Sequence, residues 1–164
     1  MRGKTCVITG ATSGIGRATA LELGALGADL VLMGRCEERG REVVARIRNS
    51  TPAGRVDFLR CDLTIRENVF NTARAIRERS ASIDVLVNNA GARFDTFGTN
   101  PEGIERTFAG NHLGHFFLTT LLLDSLLQSQ AARIVTRHAR EASAKSVRVT
   151  SAMTPFRQPG AELT

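Results

Sequence analysis

The segment Thr9-Gly10-Ala11-Thr12-Ser13-Gly14-Ile15-Gly16 constrains this chain more than any other. It follows a short apolar run, Thr5 to Thr9, and leads into a helically spaced stretch, Ile15 to Leu26. Glycines in the order Gly-x-x-x-Gly-x-Gly let a strand turn tightly into a helix and keep the backbone open to close approach. The helix start then offers free N–H groups and the positive end of its dipole, an arrangement that binds pyrophosphate. Many strand–helix junctions use glycine. Here a second apolar run, Asp29 to Met33, completes a β-α-β unit around the turn, and that is the context dinucleotide binding needs.

The same alternation continues. Glu37 to Arg48 has the spacing of an amphipathic helix, with Val43, Val44 and Ile47 on one side. Val56 to Cys61 reads as a third strand, Ile65 to Arg79 as a helix, and Ile83 to Val87 as a fourth strand. Thr64 and Glu67 have the spacing of a capping box at the start of the 65–79 helix. A long helix is predicted from about Thr107 to Leu127, and a fifth strand from Ala132 to Thr136. Strands alternating with helices imply a parallel sheet covered on both faces, and right-handed crossovers make it a doubly wound α/β fold. From Arg137 the pattern changes. Residues 137–164 show little periodicity, and Pro155, Pro159 and Gly160 interrupt what remains. Residues 1–136 are therefore read as one nucleotide-binding domain and 137–164 as a divergent tail.

Several function classes are excluded at this stage. The formal charge is +6, and Lys occurs only at positions 4 and 145, so most basic residues are Arg. These arginines are scattered and interleaved with acids, as in Glu37-Glu38-Arg39-Gly40-Arg41-Glu42, which describes a solvated helix face rather than a nucleic-acid surface. No apolar run approaches the roughly 18 residues that span a bilayer, and no signal-peptide segment precedes the first strand, so a cytoplasmic location is expected. The 3 cysteines lack metal-like spacing; Cys6 and Cys61 fall within strand patterns and are expected to be buried thiols. His112 and His115 could share a helix face, but no acid or Cys accompanies them, so no metal site is expected.

Four motifs in order, the glycine-rich turn, Cys61-Asp62-Leu63, Asn88-Asn89-Ala90-Gly91 and Asn111-His112-Leu113-Gly114-His115-Phe116, resemble those of the short-chain dehydrogenase/reductase family. IDVLVNNAG and NHLGHFFLT look most like its retinol-dehydrogenase-like branch. The resemblance runs over residues 3 to 136. It implies a Rossmann-type sheet of which this chain holds about five strands, incomplete on the C-terminal side. It also implies that Gly10, Ser13, Gly14, Ile15 and Gly16 cradle a pyrophosphate. Asp62 and Leu63 would border the adenine, and Asn89, Ala90 and Gly91 the ribose side.

The second strand ends Leu32-Met33-Gly34-Arg35, with no acid at Gly34 or Arg35. An acid here would bond the ribose hydroxyls of NAD, whereas a guanidinium accommodates the 2′-phosphate of NADP. NADP(H) is therefore expected in preference to NAD(H), with Arg35 reading the phosphate.

The resemblance also implies a catalytic Ser, Tyr and Lys with a supporting Asn. Tyr exchanges the substrate proton, Lys lowers its pKa, and Ser bonds the carbonyl oxygen as negative charge develops. The sequence contains 0 Tyr. After Ile134-Val135-Thr136, where the family's Ser segment would follow, stands Arg137-His138-Ala139. Glu141 lies four residues before Lys145, where a Tyr would pair with it, and Ser151 is out of register. Of the catalytic set only Asn111 matches, as a remnant. The leading expectation is an oxidoreductase-family chain, truncated or frame-shifted near residue 136, without the usual turnover of hydrophobic alcohols and carbonyls. A non-catalytic NADPH-binding or partner-pairing module is the alternative. A reductase using His138, Lys145 or Ser151 is a third. The apolar helix at 107–127 packs against its partner in family dimers, so a homodimer is expected through it.

Overall fold

The structure, a computed structural model, describes residues 1–50 and 52–137. Five parallel strands form one sheet in the order β3-β2-β1-β4-β5: β1 Thr5–Thr9, β2 Asp29–Gly34, β3 Val56–Arg60, β4 Val85–Asn88 and β5 Arg133–Thr136. The chain winds outward from β1 to β3, then returns to the other side of β1 for β4 and β5. The order therefore reverses between β1 and β4. In open α/β sheets that reversal opens a crevice beyond the C-terminal strand ends.

Side-chain alternation along β1 explains the three layers. Cys6 and Ile8 point to one face, where they join Ala20 of helix α1 (Gly14–Ala25) and Val43 and Ile47 of helix α2 (Glu37–Ser50). Val7 points to the other face, against Ala73 and Ile76 of helix α3 (Arg66–Arg79) and against Leu118. Both faces of β1 are buried, so its residues read as a continuous apolar run rather than an alternating one. Cys6 and Cys61 are buried thiols, and burial, with the Asp84 charge second, raises Cys6 to about 11.

Two expected features differ. The helix expected over 107–127 is divided into α4 Arg106–Phe108, a π segment Ala109–Leu113, α5 Gly114–Leu121 and α6 Leu123–Leu127. Leu122 breaks the last junction with φ −100° and ψ 2°, while its own side chain is fully buried. A Cβ at Gly114 would collide with the Leu63 carbonyl, so the start of α5 packs directly on the chain beyond β3. The capping box at Thr64 does not form. The Thr64 hydroxyl donates to Asp62 Oδ1 at 2.8 Å, and α3 begins only at Arg66. Glu102, from a distant loop, accepts the Arg66 amide instead, at 3.2 Å. Among the described residues, no helix is long and apolar enough to cross a membrane.

Candidate dinucleotide site

The cleft lies at the reversal between β1 and β4, beyond their C-terminal ends. Its first wall is the β1–α1 turn. Gly10 has φ +66°, a left-handed conformation that favours glycine, and a Cβ there would stand 2.8 Å from Ala90 Cα. Gly16 permits a second close approach, since a Cβ would strike the Gly10 carbonyl oxygen and Asn89 Nδ2. Ser13 occupies the N-cap of α1 in an extended conformation, and no side chain caps the helix there. The first intrahelical bond is Arg17 N–H to Ser13 O at 3.1 Å, so the amides of Gly14, Ile15 and Gly16 precede the helix's own hydrogen-bonding pattern. A turn of this shape presents bare donors to an anion.

The opposite wall is the loop after β4, joined to β1 through Thr9. The Thr9 hydroxyl oxygen accepts the Asn89 and Ala90 amides at 3.0 and 2.9 Å. Asn89 Nδ2 donates to Thr9 O at 2.9 Å and to Gly10 O at 3.4 Å. Asn89 Oδ1 is buried without a hydrogen-bond partner. Such an atom costs free energy unless a ligand or solvent satisfies it. Asn111, in the π segment, clamps the next residue twice: its Nδ2 donates to Ala92 O at 2.8 Å, and its Oδ1 accepts from Ala92 N at 2.9 Å.

The cleft is continued by Gly34 and Arg35 beyond β2 and by Asp62, Leu63 and Thr64 beyond β3. Asp62 Oδ1 accepts both the amide and the hydroxyl of Thr64, which fixes that corner. Arg35 is exposed, with no ion pair among the described residues. A Cβ at Gly34 would lie 2.9 Å from Thr12 Cγ2, so Thr12 fills the place of a side chain beside Arg35.

The residues expected to bind cofactor, and Asn111, line this one cleft: Gly10, Ser13, Gly14, Ile15 and Gly16 on one side, Arg35, Asp62 and Leu63 beyond β2 and β3, and Asn89, Ala90, Gly91 and Asn111 on the other. The bare amides, the glycine cradle and the unpartnered Asn89 oxygen fit a dinucleotide. His138, Lys145 and Ser151 lie outside the described residues. His112 stacks on Phe108 at 5.1 Å and His115 is engaged with Thr9, so the two do not form a ligand pair. Sequence reasoning passed over Thr9 as a strand terminus, Thr12 as a turn residue, and Phe94, which lines the cleft with Arg106 stacked 4.7 Å from its ring centre. The hydroxyl immediately before the first glycine was a usable signal for Thr9. Phe94 carried none.

This chain is similar to known proteins in sequence and in fold. The short chain dehydrogenase family profile matches residues 4–153, running past Thr136. Mouse (Mus musculus) polyprenol dehydrogenase is 41% identical over 138 residues, covering 82% of this chain and 41% of the relative. Human (Homo sapiens) retinol dehydrogenase 13 is 40% identical over 133 residues, covering 81% and 40%. The chain thus spans about two fifths of the length of these curated relatives. A metagenomic short-chain oxidoreductase solved in complex with NADP superposes with a TM-score of 0.72 at 29% identity, covering 82% of this chain and 61% of that one. A short-chain dehydrogenase from Sphingobium yanoikuyae solved with NADPH gives 0.71 at 33% identity, covering 81% and 52%. With the sheet order, the glycine cradle and the sequence match all in agreement over the same residues, this chain belongs to the short-chain dehydrogenase family.

Proposed function

We propose that this chain is the nicotinamide-dinucleotide half of a short-chain dehydrogenase/reductase and that it binds NADP(H) in preference to NAD(H). The observation that carries the preference is the end of β2. Gly34 carries no carboxylate, a side chain there would press on Thr12, and the next residue is an exposed Arg35 bordering the cleft. A guanidinium there takes a 2′-phosphate through two parallel hydrogen bonds. The amides of residues 13–16 would hold the pyrophosphate, Asp62 and Leu63 the adenine, and Asn89, Ala90 and Gly91 the ribose nearer the nicotinamide. Residues 1–136 would form this binding domain, with 137–164 as a tail that lacks the family's catalytic segment.

When bound, the cofactor supplies the hydride that the family exchanges with an alcohol or carbonyl; a hydrophobic substrate fits the names of the curated relatives. These 164 residues contain 0 Tyr, so they provide no phenol to exchange the substrate proton. We therefore propose that the chain alone binds cofactor without the usual turnover, as a sensing or partner-pairing module. Exposed Phe108, Phe116, Leu123 and Leu127 on the 106–127 segment support pairing through that face.

Calorimetric titration with NADPH, with NADH as control, tests the reading. Saturable binding that favours NADPH, reversed in Arg35→Asp, supports it. Equal affinity for the two cofactors removes the role of Arg35, and no binding of either removes the cofactor reading.

A further inference from the structure

His115 is 6% exposed, and its ring joins the π segment to the end of β1. Nδ1 lies 3.2 Å from the Asn111 carbonyl oxygen, and Nε2 lies 3.0 Å from the Thr9 hydroxyl oxygen. A carbonyl only accepts, so in the neutral ring the proton belongs on Nδ1. Nε2 then presents its lone pair, and the Thr9 hydroxyl donates to it. Donating in that direction leaves the two acceptor positions of the Thr9 oxygen for the Asn89 and Ala90 amides, at 3.0 and 2.9 Å. The other tautomer would set a lone pair against the Asn111 carbonyl and aim three donors at one hydroxyl oxygen.

We infer that His115 is a positioning residue for the dinucleotide: its neutral, Nδ1-protonated ring orients the Thr9 hydroxyl so that it holds the Asn89–Ala90 backbone against Gly10, and a proton added at Nε2 loosens that wall of the cleft. This inference rests on the dinucleotide reading of the cleft. His115 itself does not line the cleft; it acts through Thr9. With Nε2 protonated, the Thr9 hydroxyl proton has only the Val87 carbonyl to turn to, at 3.3 Å. The Asn89 amide, already shared with Val87 O at 3.0 Å, is the donor displaced from Thr9. From β1 the ring meets the uncharged Thr9 hydroxyl. From the π segment come the Asn111 carbonyl and His112, whose charge opposes a second imidazolium. Burial, above all, and His112 hold the ring below the ordinary imidazole range, against the opposing pull of the Asn111 carbonyl.

The test combines NADPH titrations of the wild-type chain and His115→Gln between about pH 5 and 8 with ¹⁵N NMR of the imidazoles. Gln keeps an acceptor for Thr9 but does not titrate; the ionisation of the cofactor's own 2′-phosphate is common to both proteins. With each protein referred to its own affinity at pH 8, the expected result is a loss at low pH that is about fivefold greater in the wild type, the size of one net hydrogen bond. The His115 resonances, identified by their absence in the variant, should show a protonated Nδ1 and a bare Nε2. Parallel pH profiles, or a protonated Nε2 at pH 8, overturn the inference while the cofactor reading stands. No NADPH binding by either protein at any pH overturns both.

Discussion

Gly10 and Ala90 pack backbone to backbone: a Cβ on Gly10 would stand 2.8 Å from Ala90 Cα. The contact joins the turn after β1 to the loop after β4, and it coincides with a φ of +66° at Gly10. Gly10→Ala therefore meets two obstacles, an unfavourable backbone conformation and a collision with main chain that cannot step aside. The expected cost is about 1–3 kcal/mol of stability, with NADPH binding lost. Denaturant midpoints and calorimetry would show both, and unchanged affinity would contradict the proposed cradle.

Asn111 clamps Ala92 through two hydrogen bonds from an exposed position. Asn111→Ala should cost only about 1 kcal/mol of global stability, since exposed groups return to water. Its larger effect should be local. Hydrogen exchange at Ala92 and Gly91 should accelerate, and NADPH affinity should fall severalfold. A uniform loss of protection across the sheet would instead show that the clamp supports the whole fold.

Asp84 gathers three donors at the base of the sheet: Lys4 Nζ at 2.8 Å, Ser129 Oγ at 2.8 Å and the Thr5 amide at 2.9 Å. Burial pushes its carboxyl up, but these hydrogen bonds and the Lys4 charge together hold it below the usual carboxylate range. A lowered folded value means that the native state binds the proton less readily than the unfolded chain does. The stabilisation is thus present above the unfolded value of about 4 and is lost as pH falls through the folded one. Asp84→Asn should lower stability near neutral pH by roughly 1–3 kcal/mol and flatten the acid limb of the unfolding curve. An unchanged acid limb would show that other carboxylates govern it.

His115 carries the same sign on a different pH scale. Its folded value is lowered from 6.5, so its share of stability is complete above that pH and is lost as pH falls below it through the folded value. In the unfolding free energy measured from pH 8 to 5, His115→Gln should remove part of the decline seen in the wild type.

Gly40 tests packing against propensity. Alanine within a helix is normally favoured over glycine by about 1 kcal/mol, yet a Cβ at Gly40 would lie 2.5 Å from the Phe58 ring. Gly40→Ala should therefore destabilise, and adding Phe58→Leu should recover part of the loss. Purely additive effects in that double-mutant cycle would show that the two positions do not interact.

The doubly wound sheet was legible because its central strands, β1, β2 and β4, are largely buried, so each appears as a mostly apolar run between glycine or polar turns. The residues expected to bind cofactor were legible as motifs, and the structure collects them around one cleft. The internal breaks of the 106–127 segment were not legible. They come from the approach of Gly114 to the Leu63 backbone and from burial of Leu122, contacts between positions far apart in sequence. The capping box at Thr64 failed for a related reason: Asp62, two residues away, competes for the same hydroxyl, and Glu102 arrives from another loop to serve the helix end. Local spacing registers which partners are available, not which of them wins.

The Thr9–Asn89 join spans 80 residues of chain. During synthesis the glycine turn leaves the ribosome early, but its opposing wall does not yet exist. At about 5–20 residues per second, the growing chain waits several seconds for it. A nucleotide meeting the nascent protein in that interval would find half a socket, so ligand capture has to follow β4 rather than the glycine turn that advertises it.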